Sequence, residues 1–152
     1  LQLKHNEDSH FWKAAKNSGI ISGLIEMCED SEKSYAIQGE VMGPGIQGNK
    51  EKFNGFKFFA FNLFDIKKQE YSLYSLALDM FDEFSIPYVP LIRESLIDVF
   101  NEFNSLDELL AFSDGPSIVA KKREGIVFKP VDKYVSSFKV ISNKFLLSGG
   151  DD

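Results

Sequence analysis

Four short stretches of the chain carry side chains that could do chemistry together. Glu40 lies near the end of the run Tyr35 to Met42, and the loop Gly43-Pro44-Gly45-Ile46-Gln47-Gly48-Asn49 follows at once. A carboxylate there can accept hydrogen bonds from a sugar hydroxyl, while the glycines let a ligand come close to the backbone. Phe58-Phe59-Ala60-Phe61-Asn62 supplies flat aromatic faces on which a planar base can stack. Arg123-Glu124-Gly125-Ile126-Val127-Phe128-Lys129-Pro130 sets a carboxylate among basic residues, and a hard cation takes carboxylate and phosphate oxygens together. Phe138-Lys139-Val140-Ile141-Ser142-Asn143-Lys144-Phe145 brings ammonium groups that can stabilise the charge developing on a phosphoryl group during in-line displacement.

Taken singly, each stretch has an ordinary structural explanation. Glu40 would cap a loop, the phenylalanines would be core, and Glu124 or Lys139 would be surface charges. Charge distribution adds one observation. The net charge is −6, which by itself argues against a polyanionic partner, yet residues 121–144 hold Lys121, Lys122, Arg123, Lys129, Lys133, Lys139 and Lys144 against Glu124 and Asp132. That segment is +5 and the remainder −11, which suits a cationic groove in an acidic body as well as it suits a solvated lysine-rich surface.

The elements that must position these residues follow from periodicity. Phe11, Trp12 and Ala15, then Ile20, Leu24 and Met27, recur at helical intervals, with Ser18-Gly19 as the break between two short helices that pack on a sheet edge. Tyr35 to Met42 reads as a strand leading into the glycine-rich loop, and Phe56 to Ile66 as a central strand, apolar on both faces. Leu76 to Phe84 reads as a helix, and the prolines of Ile86-Pro87-Tyr88-Val89-Pro90 confine that stretch to an edge strand or extended connection. Ser105-Leu106-Asp107-Glu108 has the form of a capping box ahead of a helix that stops at Asp114-Gly115-Pro116, and two short strands follow, Gly125 to Lys129 and Ser137 to Ile141. Strands and helices that do not strictly alternate give an α+β class built on an antiparallel sheet. Cys28, the one cysteine, is expected as a buried core thiol, and His5 and His10 as solvent-exposed residues too few for a metal site.

The order of the four stretches resembles the covalent nucleotidyltransferase superfamily of ligases and capping enzymes, and Gly-Glu-Val-Met-Gly-Pro-Gly-Ile-Gln-Gly-Asn (39–49) resembles its ATP-dependent RNA ligase branch, over about Ser9 to Leu147. The resemblance implies an antiparallel-sheet nucleotidyltransferase domain of the ATP-grasp-like ligase type, of which residues 1–152 are a part, using ATP and Mg²⁺ on RNA ends. It implies that Glu40 meets the ribose and that Phe58 or Phe59 stacks on adenine. Glu124 would be the metal-bridging carboxylate, with Lys139 and Lys144 at the α-phosphate. The family's reaction passes through lysyl-AMP and RNA-adenylate before a 3′-hydroxyl is joined to a 5′-phosphate.

Two departures qualify that expectation. The family's Lys-x-Asp-Gly nucleophile motif should precede Glu40 and is not in the sequence; Lys52-Phe53-Asn54-Gly55 follows Glu40, carries Asn for Asp, and is a decoy by its order. Where many relatives have Lys-x-Lys, this chain has Lys139-Val140-Ile141, with Lys144 the nearest replacement. The expectation is therefore an upstream-truncated ligase part that cannot adenylylate itself and complements a missing N-terminal part. A non-catalytic nucleotide- or RNA-binding remnant, and a DNA ligase or capping-type fragment, are the alternatives. Without an apolar run of membrane-spanning length or a leader-like start, the expected setting is cytoplasmic, with no membrane contact.

Overall fold

The computed structural model describes residues 6–92, 99–130 and 136–148. They fall into two compact units: Leu1–Asn49 with Phe53–Val89, and Lys50–Lys52 with Pro90–Asp152.

The first unit opens with α1 (His10–Asn17) and α2 (Ile20–Ser31). Ser9 caps α1 by accepting a hydrogen bond from the Trp12 N–H at 3.2 Å, and the break falls at Ser18-Gly19, where Gly19 takes a left-handed φ of 69°. β1 (Tyr35–Met42), β2 (Lys57–Asp65) and β3 (Glu70–Tyr71) form an antiparallel sheet with β2 in the middle. α1 and α2 lie against β1 and β2, as their apolar spacing implies. The Ser18 hydroxyl accepts from the Phe58 N–H at 2.9 Å, which ties the start of β2 to the helix junction. α3 (Tyr74–Glu83) completes the unit, and the following extended stretch meets β2 through Ala60, whose N–H donates to the Pro87 carbonyl and whose carbonyl accepts from Val89. Ile20, Met27, Tyr35, Ala60, Leu63, Ala77, Phe81 and Ile86 make the core. Cys28 is only half-buried against that core, a correction to the expected buried thiol: it lies one position beyond Met27, the residue that takes the fully buried place.

The second unit contains α4 (Val99–Glu102), α5 (Leu106–Ser113), β4 (Gly125–Phe128), β5 (Phe138–Ile141) and α6 (Asn143–Leu147). β4 and β5 pair antiparallel, from Gly125 opposite Ile141 to Phe128 opposite Phe138. Their buried face, Ile126, Phe128 and Val140, packs with Phe103, Leu109, Leu110 and Phe112. Gly125 is required by this pairing, because a Cβ there would sit 2.1 Å from the Val140 carbonyl oxygen. The Ser105 cap forms as the sequence indicates, accepting from the Glu108 N–H; the Glu108 carboxylate reaches one residue further back, to the Asn104 N–H at 2.8 Å. Lys50–Lys52 is held in this unit by two side chains. Glu51 is buried and accepts from the N–H groups of Val119 at 2.7 Å and Ala120 at 3.0 Å, and the Lys50 ammonium lies 4.3 Å from the Phe145 ring centre.

The α+β class with antiparallel pairing is thus borne out, distributed over a three-stranded and a two-stranded sheet. β4 ends one residue before Lys129 and β5 begins one after Ser137. Within the stretch 138–145 the strand ends at Ile141 and a helix begins, capped by the Ser142 hydroxyl on the Phe145 N–H. His10 is exposed, its ring stacked on Phe56 at 4.4 Å; His5, Asp132 and Lys133 lie outside the described residues.

Candidate functional site

The candidate residues form two groups, one in each unit. In the first unit, Glu40 on β1 pairs in register with Phe59 on β2, so both project from the same face of the sheet, as do Gln38 and Asn62, whose amides are joined at 3.0 Å. Phe58 pairs with Val41 on the opposite face and packs against the core. Its ring lies over Gly39: a Cβ there would be 2.2 Å from Phe58 Cζ, which explains why a glycine stands beside Glu40. The register shifts between Gln38 and Gly39, leaving Phe61 as the extra residue of a bulge on β2, half-buried. Bulges re-aim side chains next to sites. Reading the Phe run as a regular alternation misses this one; a nine-residue strand facing an eight-residue partner is the trace it leaves.

The glycine-rich loop is tightly wound. Ile46 N–H donates to the Gly43 carbonyl and Asn49 N–H to that of Ile46, closing a single 3₁₀ turn over Gln47–Asn49. Gln47 and Asn49 both take positive φ, 45° and 49°, a conformation costing a side-chain-bearing residue roughly 1 kcal/mol and common at ligand-binding loops. The Asn49 amide then clasps Phe53, accepting from its N–H at 3.1 Å and donating to its carbonyl at 3.0 Å. Phe53 in turn tilts against Phe59, with 5.9 Å between ring centres. Loop and aromatic platform are therefore one assembly with Glu40 at its edge. Lys52, from the decoy motif, is an exposed residue outside any regular element, at φ 53°.

In the second unit, Glu124 immediately precedes β4 and Lys139 lies on β5 opposite Val127. The Lys139 ammonium donates to Glu124 Oε1. Both side chains are about half exposed, so the pair itself stabilises the fold by no more than about 1 kcal/mol and both groups stay accessible. Val127 and Ile141 are the exposed apolar residues of the same sheet face. Lys144 is not on this strand: it lies in the first turn of α6, its ammonium 3.4 Å from Asp114 Oδ2. Asp114 also accepts from the Ser142 hydroxyl at 2.6 Å, and this bond, ahead of those from Lys144, holds its carboxyl below the usual carboxylate range. Lys129 is half-buried, and burial pulls its ammonium below the ordinary value. Sequence reasoning gave Ser142 and Glu51 no role of their own, and it read Asp114 only as a helix stop and Arg123 only as part of the basic segment.

Among the described residues no group of three His, Cys, Asp or Glu side chains could hold a metal ion. A lone accessible carboxylate beside an ammonium fits a cation that takes its remaining ligands from phosphate oxygens and water, as Mg²⁺ commonly does.

The candidate site residues are thus Glu40, two residues before β1 gives way to a wound glycine loop, and a separate Glu124–Lys139 pair on an antiparallel ribbon. The chain belongs to the RNA ligase family, whose model matches residues 1–141. It is similar to Naegleria gruberi RNA ligase in several solved forms. An apo mutant and the form with PPi each match at 32% identity and a TM-score of 0.81, over 99% of this chain and 43% of that one. A mutant with ATP and Mn matches at 32% identity and a TM-score of 0.81, over 99% of this chain and 44% of that one. This chain thus spans less than half the length of the ligases it matches. No curated protein sequence matches it. No helix among the described residues is long and apolar enough to cross a membrane.

Proposed function

We propose that this chain is the part of an ATP-dependent RNA ligase that contacts nucleotide, divalent metal and phosphate, and that it works with an upstream part carrying the nucleophilic lysine. The observation that carries this reading is the Glu124–Lys139 pair at the open end of the β4–β5 ribbon, in a chain of the RNA ligase family.

Glu40 accepts hydrogen bonds from the ribose hydroxyls, helped by the close approach that the wound loop allows. Phe59 shares Glu40's face and is the better candidate of the two phenylalanines for stacking on adenine; Phe58 is taken up by the core, and Phe61 at the bulge is a further aromatic face. Glu124 would hold a divalent ion, Mg²⁺ or the Mn of the matched structures. That ion would neutralise phosphate charge and orient the phosphates for displacement. Lys139 donates to the α-phosphate as its charge grows in the transition state. Lys144 adds positive charge nearby, balanced by Asp114.

The family reaction then proceeds by lysine attack on the α-phosphorus, loss of pyrophosphate, transfer of AMP to an RNA 5′-phosphate, and displacement of AMP by a 3′-hydroxyl. RNA ends are the partners, bound with help from the basic segment, and ATP use suits a cytoplasmic setting. Intact-mass measurement of the chain with ATP and Mg²⁺, alone and with the upstream segment of its reading frame added, tests the reading. AMP is expected on the added segment and not on this chain. An AMP adduct on this chain alone would move the nucleophile to Lys52.

The second reading is a non-catalytic nucleotide- or RNA-binding remnant. ATP binding without AMP transfer in either mixture would select it. The DNA ligase and capping alternatives are disfavoured by the family match.

A further inference from the structure

In the second unit, four links close a ring around the backbone of Glu124. The Asp114 carboxylate accepts from the Ser142 hydroxyl at 2.6 Å, and the Ser142 N–H donates to the Glu124 carbonyl at 2.8 Å. Glu124 is joined through the chain to Arg123, whose guanidinium donates back to the Asp114 carbonyl at 2.9 Å. The same guanidinium also takes the carbonyls of Phe112 at 2.7 Å and Ser113 at 2.8 Å, the last acceptors of α5, while the Arg123 N–H donates to Gly115 at 2.7 Å. Ser142 is 1% exposed.

The location of the ring gives it a task. A two-stranded ribbon is marginal by itself and frays first at its open end. The last paired residues there are Gly125 and Ile141, and the Ser142–Glu124 bond extends the pairing one step beyond them. Glu124 and Lys139 owe their mutual placement to that final step, since one precedes the ribbon and the other stands on its second strand.

We propose that Asp114 is a positioning residue for the Glu124–Lys139 pair, acting through Ser142 and Arg123 without touching ligand itself. This rests on the reading of Glu124 as the metal-binding carboxylate. The geometry makes the hydrogen-bonding oxygen of Asp114, rather than its charge, the essential part, because Oδ1 receives both the Ser142 hydroxyl and the Lys144 N–H.

The test compares the full chain as wild type, Asp114→Ala, Asp114→Asn and Ser142→Ala, with Mn²⁺ alone as the probe. Two signals are followed by NMR: hydrogen exchange of the Ser142 amide, and paramagnetic broadening of the Glu124 amide. Asp114→Ala and Ser142→Ala are expected to speed Ser142 exchange at least tenfold and to raise the Mn²⁺ concentration for half-broadening about fivefold. Asp114→Asn, which keeps an acceptor oxygen, should stay within twofold on both. Equal damage from Asn and Ala at position 114, or no change with Ala, overturns the proposal. Should Asp114→Ala fail to fold, Ser142→Ala against Asp114→Asn carries the same comparison. Wild-type chain showing no broadening at Glu124 overturns it as well; exchange protection at Ser142 in that case identifies the metal reading, and not the ring, as what failed.

Discussion

Side by side on β2, Phe58 and Phe59 face opposite sides of the sheet, and the different duties proposed for them are measurable. Phe58→Ala removes a ring packed on the core and should lower stability by about 2 kcal/mol in denaturant titration while leaving nucleotide affinity per folded molecule unchanged. Phe59→Ala should leave stability nearly intact and weaken ATP binding by about 1–2 kcal/mol, roughly tenfold, in calorimetry. Gly39→Ala should cost about 1–3 kcal/mol, seen as a lower melting temperature, because its methyl group would collide with the Phe58 ring and with the Phe59 carbonyl 2.5 Å away. At this scale the sequence was legible in chemistry and not in direction. Glu40, Glu124 and Lys139 were candidates from residue type and local string, while which of Phe58 and Phe59 shares Glu40's face needed the cross-strand register, which depends on a bulge that no local pattern announces. Asp114 was invisible for a similar reason: it read as a helix stop, and its partners Arg123 and Ser142 lie 9 and 28 positions away.

Among the elements, the loop 114–123 shows how a buried acid can organise a stretch with little regular structure. Burial pushes the Glu51 carboxyl up, but hydrogen bonds from the Ser117 side chain and from the Ala120 and Val119 N–H groups outweigh it and hold the group below the ordinary carboxylate range. A carboxyl depressed in the folded state stabilises the fold above the unfolded value near 4.3, and that contribution disappears as pH falls through the folded value. Glu51→Gln should therefore be less stable than wild type by about 1 kcal/mol at pH 7, with the gap shrinking steadily below about pH 4.5. A gap independent of pH would remove the charge from this account. Helix and strand boundaries were largely readable, since capping serines and alternating apolar residues act within a few positions. α6, α4 and β3 were exceptions: each is five residues or fewer and carries too little periodicity, and a strand motif overlapped the α6 cap.

For the whole molecule, binding of RNA should follow the basic segment and not the net charge. Affinity for a single-stranded RNA with a 5′-phosphate is expected to fall steeply with added salt, and Lys121→Ala with Lys122→Ala should flatten that dependence. A salt-insensitive affinity would count against the electrostatic reading. The chain also threads between its two units three times, because Lys50–Lys52 belongs with residues that come long after it. During synthesis Glu51 leaves the ribosome 68 positions ahead of Val119, so the second unit cannot finish folding from its own continuous sequence until nearly the whole chain exists. A fragment starting at Pro90 would leave Val119 and Ala120 without their acceptor. By the same logic, a protease cut after Val89 would strand Lys50–Lys52, a piece of the second unit, on the fragment that carries the first.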